Sequence, residues 1–394
     1  MLKRTLNLLS EFSIPLIGGV LAALVLANTN EHLYHQLLDT PLLGENVTIF
    51  GHPITFHFLM NDIFMVFFFG IAAVEITQAV IPGGSLNPIS RAINPLLGTI
   101  GGVVGPVAVY FGMCVLLQVD DIVYKGWGIP TATDIALAWL VARLVFGSHH
   151  PAVSFLLLLA VADDAIGLGI IAIFYPDPLH PVEPINLLLT AVGVAVAFGL
   201  RAMQVKSFWP YIIFAGTLSW CGLILAHLHP ALAFVFVVPF MPAGHGAHAE
   251  LFADESEHTT LTGFEHTFKL PVDIGLFGFG LANAGVSLSG ISEVTWIVLA
   301  SLVVGKMVGI TAFSKAGDML GFHLPEGMGF RSLLVASTIA GLGLTVALFV
   351  SQQAFSADTH PEIQGAAKMG ALLSAGVAGL AIFLGWACRI KKVH

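Results

Sequence analysis

The sequence predicts an all-α, polytopic membrane protein, and the composition and the length of the apolar runs are the observations that predict it. Of the 394 residues, 56% are hydrophobic and only 10% are charged, whereas soluble domains carry about 25% charged residues. Apolar runs long enough to cross a hydrocarbon core of about 30 Å recur along the chain. The 42 glycines and 20 prolines fit this class, because both residues are commoner in membrane helices than in soluble ones.

Hydropathy predicts about twelve transmembrane helices in a single transmembrane domain covering residues 1–394. The expected spans are residues 12–28, 59–80, 95–117, 126–146, 152–175, 185–204, 210–227, 229–242, 268–286, 294–314, 330–351 and 366–390. Lys3 and Arg4 precede the first apolar run, as they would in a signal peptide. No convincing small-residue cleavage site follows that run, so we expect a retained first helix.

Two connections between the spans have a composition of their own. Residues 46–57 alternate β-branched residues around a Gly-His-Pro interruption, which predicts a small external β-hairpin. Residues 243–266 form a polar loop, predicted to be cytoplasmic, that is rich in histidine and acid. Within it, His245, His248 and Glu250 have a spacing that suits a metal, but a solvated loop is the favoured interpretation because no closing ligand pair follows.

The lysines and arginines predict the orientation. With both termini in the cytoplasm, almost all of them fall on the inner side, and the outer side holds only Lys125 and Lys368. This asymmetry is what the positive-inside rule expects of a multi-pass protein. The formal charge of −9 gives no basic surface for nucleic acid. The three cysteines are widely spaced in apolar segments, which favours neither a disulfide framework nor a bound cofactor.

Two adjacent carboxylates are the most informative feature of the chain. Asp163 and Asp164 lie near the middle of the uncharged apolar run 152–174. An ionised carboxylate at bilayer depth costs roughly 2.5–3.5 kcal/mol, so such residues usually serve an ion or proton pathway. Neighbouring helix positions point about 100° apart. We therefore expect one aspartate to face a cavity and the other to reach Lys306 or the cavity wall, with H⁺ and a small hard cation such as Na⁺ competing for the pair.

Two predicted spans are interrupted at their centres. Pro130-Thr131-Ala132-Thr133-Asp134 interrupts the fourth span, and Gly341-Leu342-Gly343-Leu344-Thr345 interrupts the eleventh. Broken helices at corresponding positions of two halves indicate a transporter site built from inverted repeats. Two such breaks placed against each other bring like helix ends together. Asp134 is expected to offset the positive ends and Lys306 the negative ends, although Asp134 could be a simple N-cap and Lys306 could snorkel.

Several motifs together resemble the NhaA family of sodium/proton antiporters over nearly the whole chain. They are Pro130-Thr131-Ala132-Thr133-Asp134-Ile135-Ala136, Ala162-Asp163-Asp164, Leu281-Ala282-Asn283-Ala284-Gly285-Val286-Ser287, Val304-Gly305-Lys306 and Leu324-Pro325-Glu326-Gly327, in the family's order. The resemblance implies two crossed discontinuous helices and electrogenic exchange of protons for sodium or lithium in the bacterial inner membrane. It also implies a homodimer aided by the external β-hairpin.

The resemblance also assigns roles to individual residues. It implies that Asp163 and Asp164 bind the cation and protons, that Thr133 and Asp134 form the dipole-compensating break, and that Lys306 is the midmembrane lysine. Asp62 matches a family aspartate near the funnel that leads to the site. The residues that match positions linked to the pH response are Glu75, His229, Glu265 and His266.

One segment departs from the family pattern. Where the family commonly continues with Val-Lys-Arg-Glu after the funnel glutamate, Glu75 is followed here by Ile76-Thr77-Gln78-Ala79. Three charges are therefore missing from a region that the resemblance ties to cation attraction and pH activation. The transport core matches the family, whereas the pH profile does not follow from it.

Three other functions compete with that of an antiporter. A sodium-coupled solute symporter would use a similar midmembrane cation site, but the sequence contains no recognisable solute pocket. An intramembrane aspartyl protease needs two acids from different helices, typically with a Gly-x-Gly-Asp signature, whereas Asp163 and Asp164 are adjacent and follow Val161-Ala162. A passive channel would not explain a titratable pair beside a lysine. The sequence therefore predicts a transporter and no enzyme.

Overall fold

The computed structural model describes residues 14–44, 47–87, 89–176, 181–243, 259–355 and 359–393. These residues are mostly helical and form two compact units. Of these residues, the first unit comprises Ile14 and those between 89 and 167 and after 285, and the second comprises those between 15 and 87 and between 168 and 285.

The helices are numbered in chain order. They are α1 (Ile14–Thr29), α2 (Glu31–Asp39), α3 (Phe56–Val80), α4 (Ile89–Leu117), α5 (Ile135–Phe146), α6 (Pro151–Phe174), α7 (Pro184–Ala202), α8 (Tyr211–Leu225), α9 (Pro230–Phe240), α10 (Thr260–Asn283), α11 (Glu293–Met319), α12 (Phe330–Ile339), α13 (Thr345–Ala354) and α14 (Pro361–Ala387). A long 3₁₀ helix, Asp121–Thr131, precedes α5.

Among the described residues, six helices are long and apolar enough to cross a membrane. They are α3, α4, α6, α7, α11 and α14, and the bent pair of Asp121–Thr131 with α5 makes a seventh if it counts as one span. The apolar helices α1, α8, α9 and α12 are shorter, with 10–17 residues each. The chain is therefore a multi-pass membrane protein, while the count of twelve crossings stays a prediction.

The first unit repeats one order of elements. A long helix, a broken helix and a second long helix follow one another in α4, Asp121–Thr131 with α5, and the first part of α6. The same order recurs in α11, the pair α12 and α13, and α14. The predicted interruptions of the fourth and eleventh spans are therefore present as breaks in the backbone. An inverted-repeat relation between the two sets stays a prediction.

Glycines bring α4 and α11 into close contact. A Cβ atom on Gly101 would lie 2.2 Å from the carbonyl oxygen of Gly309, and one on Gly105 would lie 2.3 Å from that of Gly305. Small residues four apart on both helices let the two backbones approach, which is the usual means of close helix packing in membranes. This packing fixes the part of α11 that carries Lys306.

The second unit contains the predicted hairpin and a short amphipathic helix. Strands β1 (Thr48–Ile49) and β2 (His52–Pro53) pair antiparallel, with Thr48 opposite Pro53. The small two-stranded sheet is thus confirmed. In α2, the buried Tyr34 hydroxyl lies 2.9 Å from the carbonyl oxygen of Leu281 and accepts a hydrogen bond from the Gly285 amide, which fastens α2 to the end of α10.

Two details of the predicted connections were wrong. Helix α10 begins at Thr260 and not near residue 268, because Thr259 and Thr262 form a reciprocal capping box. Glu265 and His266 therefore lie within a helix and not in the polar loop. Residues 244–258 of that loop, with His245, His248 and Glu250, lie outside the described residues. Lys368 is buried within α14, and its expected place on the outer side of the membrane stays a prediction.

The carboxyl-terminal tail folds back on the loop between α5 and α6. The amide of Val393 donates to the carbonyl oxygen of Phe146 over 2.9 Å, and the amide of His149 donates to that of Val393 over 3.2 Å. Gly147 between them has a φ of 84°, and a Cβ there would lie 2.3 Å from the Val393 carbonyl oxygen. The tail is thus held by main-chain bonds to the connection that leads into the aspartate-bearing helix.

Candidate functional site

The two breaks of the first unit lie against each other. The amide of Asp134 in the first break donates a 2.7 Å hydrogen bond to the carbonyl oxygen of Leu342 in the second. Thr133 Oγ1 donates to the carbonyl oxygen of Ala340 over 2.9 Å. Unwound backbone at membrane depth is tolerated only where protein or a wet cavity satisfies it. Each break therefore supplies some of the hydrogen-bonding groups that the backbone of the other break requires.

Asp134 joins the beginnings of two helices. Its Oδ1 accepts from the Leu137 amide at the start of α5. Its Oδ2 accepts from both the amide and the hydroxyl of Thr345 at the start of α13, over 3.3 and 3.0 Å. Helix N-termini carry partial positive charge, which a carboxylate stabilises. Asp134 is an N-cap, and it serves two helices at once.

Lys306 lies among the opposite helix ends. Its Nζ donates to the carbonyl oxygen of Thr131, the last residue of the 3₁₀ helix, over 2.7 Å. It also donates to Thr133 Oγ1 over 2.9 Å, and it is ion-paired with Asp163 Oδ2. The Lys306 side chain is 0% exposed, so the snorkelling interpretation is wrong. An ammonium beside terminal carbonyl groups offsets their partial negative charge.

The two adjacent aspartates differ in environment. Asp163 is fully buried, and its Oδ2 receives both Lys306 and the Thr133 hydroxyl. Its Oδ1 is buried and has no hydrogen-bond partner among the described residues. Asp164 is only half-buried and has contacts of its own. Asp163 is the aspartate that reaches Lys306, while a cavity-facing Asp164 stays a prediction.

The Asp163 surroundings have the chemistry of a hard-cation site. Carboxylate, hydroxyl and carbonyl oxygens from Asp163, Thr133 and Thr131 converge within the reach of one ammonium group. Such oxygens suit alkali and alkaline-earth ions better than transition metals. In the described parts of the chain, no three His, Cys, Asp or Glu side chains come together to hold a metal ion.

A π-helical turn precedes Lys306 and was not predicted. Residues Ser301–Gly305 of α11 are π-helical, which adds a residue to the turn and rotates the side chains that follow. Such bulges occur frequently at functional sites. A second one, Leu59–Phe64 in α3, contains Asp62. Sequence periodicity does not reveal one extra residue in a helical turn.

Asp62 belongs to the second unit, among amide side chains. It is half-buried, and its carbonyl oxygen accepts from Trp220 Nε1 over 2.9 Å. The preceding Asn61 is buried and accepts from Asn283 Nδ2 over 2.9 Å. Asn283 comes from the Leu281–Ser287 motif. Two segments distant in sequence thus meet at a buried amide pair beside this aspartate.

Glu75 and Glu265 are brought together on α3 and α10. Gln78, one turn after Glu75, donates to Glu265 Oε2 over 2.9 Å. Lys269 and Asp273, which no sequence motif marks, act electrostatically on Glu75 together with Glu265. Charged side chains of α10 thus act on Glu75. Interactions of this kind between two helices leave no signal in either segment alone.

The two histidines assigned to the pH response lie on α10 and at the start of α9. His229 Nδ1 accepts from the Ala231 amide over 3.2 Å, so this side chain caps the start of α9. His266 is exposed on α10, next to Glu265. The structure therefore gives His229 a local structural role and places His266 beside one of the carboxylates.

Two site residues were missed by sequence reasoning. Thr345 supplies two of the bonds to Asp134, and its place as the first residue after the Gly-Leu-Gly-Leu run was a usable signal. Ser374, in the middle of α14, contacts Gly343 of the second break. No local pattern marks Ser374, because its partner is distant in sequence.

Two broken helices with compensated ends, enclosing a buried lysine–aspartate pair, define a secondary transporter of the discontinuous-helix class. The comparisons agree with this class. A solved structure, the sodium proton antiporter MjNhaP1 from Methanocaldococcus jannaschii, is similar with a TM-score of 0.53, at 15% identity over 96% of this chain and 92% of that one. At this identity the similarity shows the fold alone.

The family follows from the sequence comparisons. The family described as Na+/H+ antiporter 1 matches residues 3–386. The Na(+)/H(+) antiporter NhaA of Geobacter sulfurreducens is 56% identical over 393 residues, covering 100% of both chains. The Na(+)/H(+) antiporter NhaA 2 of Pelobacter propionicus is 57% identical over 394 residues, again covering 100% of both. This chain belongs to the NhaA family of Na⁺/H⁺ antiporters, so the predicted family is confirmed.

Proposed function

We propose that this protein exchanges Na⁺ or Li⁺ for H⁺ by alternating access, with Asp163 and Asp164 as the shared binding site. The observation that carries the proposal is the state of Asp163. One of its oxygens is bound by Lys306 and Thr133, while the other is buried without a hydrogen-bond partner in the described structure. A buried carboxylate oxygen left unpaired is costly, and a small hard cation would satisfy it.

Competition between the cation and the Lys306 ammonium for Asp163 explains how Na⁺ and H⁺ transport are coupled. A cation that approaches Asp163 meets the Lys306 ammonium already bound to the same group, and the two positive charges exclude each other at low dielectric. Cation binding therefore favours proton loss from Lys306 or from Asp164. When the cation leaves, protonation and the Lys306 contact are restored. One site that holds either protons or the cation couples the two fluxes in opposite directions.

Electrogenic exchange follows from the number of titratable groups. Two aspartates and a lysine together can release more than one proton for each bound cation. Net charge then crosses the membrane in every cycle. Moving one charge through 100 mV is worth about 2.3 kcal/mol, so turnover is sensitive to voltage. The bonds of Asp134 to the starts of α5 and α13 hold the breaks together when the bound charge changes.

The proposed setting is the bacterial inner membrane, with both termini in the cytoplasm. The support is the positive-inside distribution of Lys and Arg and the bacterial sources of the similar antiporters. A homodimer that uses the β1–β2 hairpin, and a pH response through Glu75, Glu265 and His266, remain parts of the proposal. The Gln78–Glu265 contact and the charges of Lys269 and Asp273 near Glu75 support a modified pH response.

The sodium-coupled symporter receives no support from the family assignment. The two hypotheses separate in one experiment with purified protein in proteoliposomes that contain a lumenal pH dye. An antiporter moves protons when Na⁺ alone is added, whereas a symporter requires an organic solute. Absence of Na⁺-driven proton movement at every pH from about 6 to 9, a range that spans histidine titration, would reject the antiporter.

A single substitution tests the site. Asp164→Asn should abolish Na⁺-driven proton movement, because the neutral amide cannot exchange a proton for a cation. Glu293→Gln is the matched control, since Glu293 is an exposed carboxylate at the start of α11 in the same unit. The control should exchange at the wild-type rate. Wild-type activity in Asp164→Asn would place the site elsewhere.

A further inference from the structure

The second break has no polar side chain of its own. Residues 340–344 are Ala, Gly, Leu, Gly and Leu, so other segments must satisfy their backbone groups. The first break meets two of them, at the carbonyl oxygens of Ala340 and Leu342. Gly343 lies between Leu342 and the helix start that binds Asp134. Its backbone groups are met by Ser374 of α14.

The Ser374 hydroxyl is built into this position. Ser374 is 0% exposed and begins a short 3₁₀ turn, Ser374–Gly376, that interrupts α14. Its Oγ accepts from the Gly343 amide over 3.3 Å and lies 3.2 Å from the Gly343 carbonyl oxygen. It also lies 2.6 Å from the carbonyl oxygen of Ala371. Since a hydroxyl has one proton, the two carbonyl groups share it.

We propose that Ser374 is a positioning residue for the cation site, an inference that rests on the proposed antiport function. Gly343 follows Leu342, whose carbonyl oxygen accepts from the Asp134 amide. It precedes by two residues Thr345, which donates to the Asp134 carboxylate. A displacement of Gly343 therefore moves two of the groups that hold Asp134. Through them it moves Thr133, which bonds Asp163.

Other buried serines near the break provide a contrast. Ser337 and Ser351 are also 0% exposed, but each donates to the carbonyl oxygen four residues earlier in its own helix. Removing such a hydroxyl leaves a carbonyl group that already accepts a helical bond. Removing the Ser374 hydroxyl takes the side-chain partner from an amide in unwound backbone at membrane depth, where no lipid group replaces it.

The test compares Ser374→Ala with Ser351→Ala in proteoliposomes, over a range of Na⁺ concentrations and from pH 6 to 9. In Ser374→Ala the apparent KM for Na⁺ should rise about tenfold, the effect of one buried hydrogen bond of about 1.4 kcal/mol. The turnover at saturating Na⁺ should stay within about twofold, and the half-maximal pH should shift. Ser351→Ala should match the wild type in all three measurements. Ser374→Cys, with a weaker hydrogen-bonding group, should lie between.

Several results would overturn the inference. An unchanged KM and pH profile in a folded Ser374→Ala protein would make the serine a packing residue only. Equal changes in Ser374→Ala and Ser351→Ala would show a general loss of stability. If Ser374→Ala fails to insert, a wild-type KM in Ser374→Cys would equally reduce the serine to a packing residue.

Direct Na⁺ binding by calorimetry separates this inference from the proposed function. Wild-type protein that binds Na⁺ without exchanging protons would reject antiport alone, and the same comparison of variants by Kd would still decide the role of Ser374.

Discussion

The first break carries its own polar side chains, Thr133 and Asp134, whereas the second, residues 340–344, contributes backbone alone. The first break bonds Asp163 through the Thr133 hydroxyl, and it bonds the second break through Thr133 and the Asp134 amide. The second break accepts these bonds at the carbonyl oxygens of Ala340 and Leu342, and its Gly343 amide donates to Ser374. The two breaks thus contribute different bonding groups to one site.

This division explains the residue types. Glycines in the second break allow close approach, since a Cβ on Gly341 would lie 2.8 Å from the carbonyl oxygen of Leu302. The first break tolerates side chains because those chains are its bonding groups. Charge loss is therefore expected to damage the first break most, and added volume to damage the second.

The largest effect is expected from removing the lysine that binds the first break. Lys306→Met leaves Asp163 buried without its ion-pair partner, which should lower the free energy of unfolding by about 3–5 kcal/mol. Na⁺-driven exchange should be lost. Lys315→Met is the control, because Lys315 on the same helix is 47% exposed and pairs with Asp318, a surface arrangement worth about 0–1 kcal/mol. Equal thermal unfolding of the two variants in detergent would contradict the prediction.

A smaller loss is expected from the residue that joins the two breaks. Asp134→Ala removes caps from both α5 and α13, each worth roughly 0.5–2 kcal/mol. The free energy of unfolding should fall by up to about 4 kcal/mol. Asp134→Asn retains a capping oxygen but not the charge, so it should recover part of this stability and little of the exchange. Thermal unfolding and proteoliposome exchange of both variants test this prediction. Full activity in Asp134→Asn would show that the negative charge of Asp134 is not required.

The second break should respond to volume. Gly341→Ala forces the α11 backbone at Leu302 to shift, at a cost of about 1–3 kcal/mol. Gly365→Ala on α14 is the control, because no atom lies within 4 Å of the added methyl group and alanine favours helix. Thermal unfolding should show a decrease for the first variant and none for the second. A Gly341→Ala protein as stable as the wild type would show that the close approach is not required.

The smallest expected effect concerns the connections that follow the two broken helices. After α5, buried His150 accepts from the Ala152 amide through Nδ1 over 3.0 Å and packs on Phe146. After α13, Gln364 donates to the Phe355 carbonyl oxygen. Burial holds the pKa of His150 below its usual 6.5. The capping of α6 in the first connection is therefore expected to depend on pH.

The direction of this pH dependence follows from the lowered pKa of His150. The neutral imidazole is the capping form, so its contribution to stability is complete above the unfolded pKa of about 6.5 and is lost as the pH falls below it. Hydrogen exchange at the start of α6, corrected for the intrinsic rate, should accelerate between pH 7.5 and 5. His150→Asn keeps a capping oxygen and should abolish this dependence. Exchange that is equally pH-dependent in both proteins would reject the histidine as its source.

The fold class, both breaks and a contact between Lys306 and one of the two aspartates were predictable because each leaves a local mark, although the sequence did not show which aspartate makes the contact. A charge in an apolar run and a Pro or Gly interruption are visible in one segment. The π-helical turns before Lys306 and around Asp62 were not, since one extra residue in a turn does not change hydropathy. Ser374 and Lys269 were missed because their roles depend on contacts between distant segments.

The number of membrane-crossing helices shows a different limit of prediction from hydropathy. Hydropathy windows treat each apolar run alike, yet α9 and α12 are too short to cross about 30 Å as single straight helices. Helix α10 begins earlier than hydropathy indicates because a capping box, and not an apolar residue, sets its first turn. A hydropathy profile does not predict helix boundaries that are set by capping residues or by neighbouring helices.

The docked carboxyl-terminal tail has a practical consequence for handling this protein. Val393 exchanges main-chain hydrogen bonds with Phe146 and His149, so any affinity tag or fluorescent fusion joined close to Val393 would pull on the loop that leads to Asp163 and Asp164. A flexible glycine–serine spacer keeps that strain away from the loop. Tagged and cleaved preparations should be compared before a kinetic constant is assigned to the natural chain.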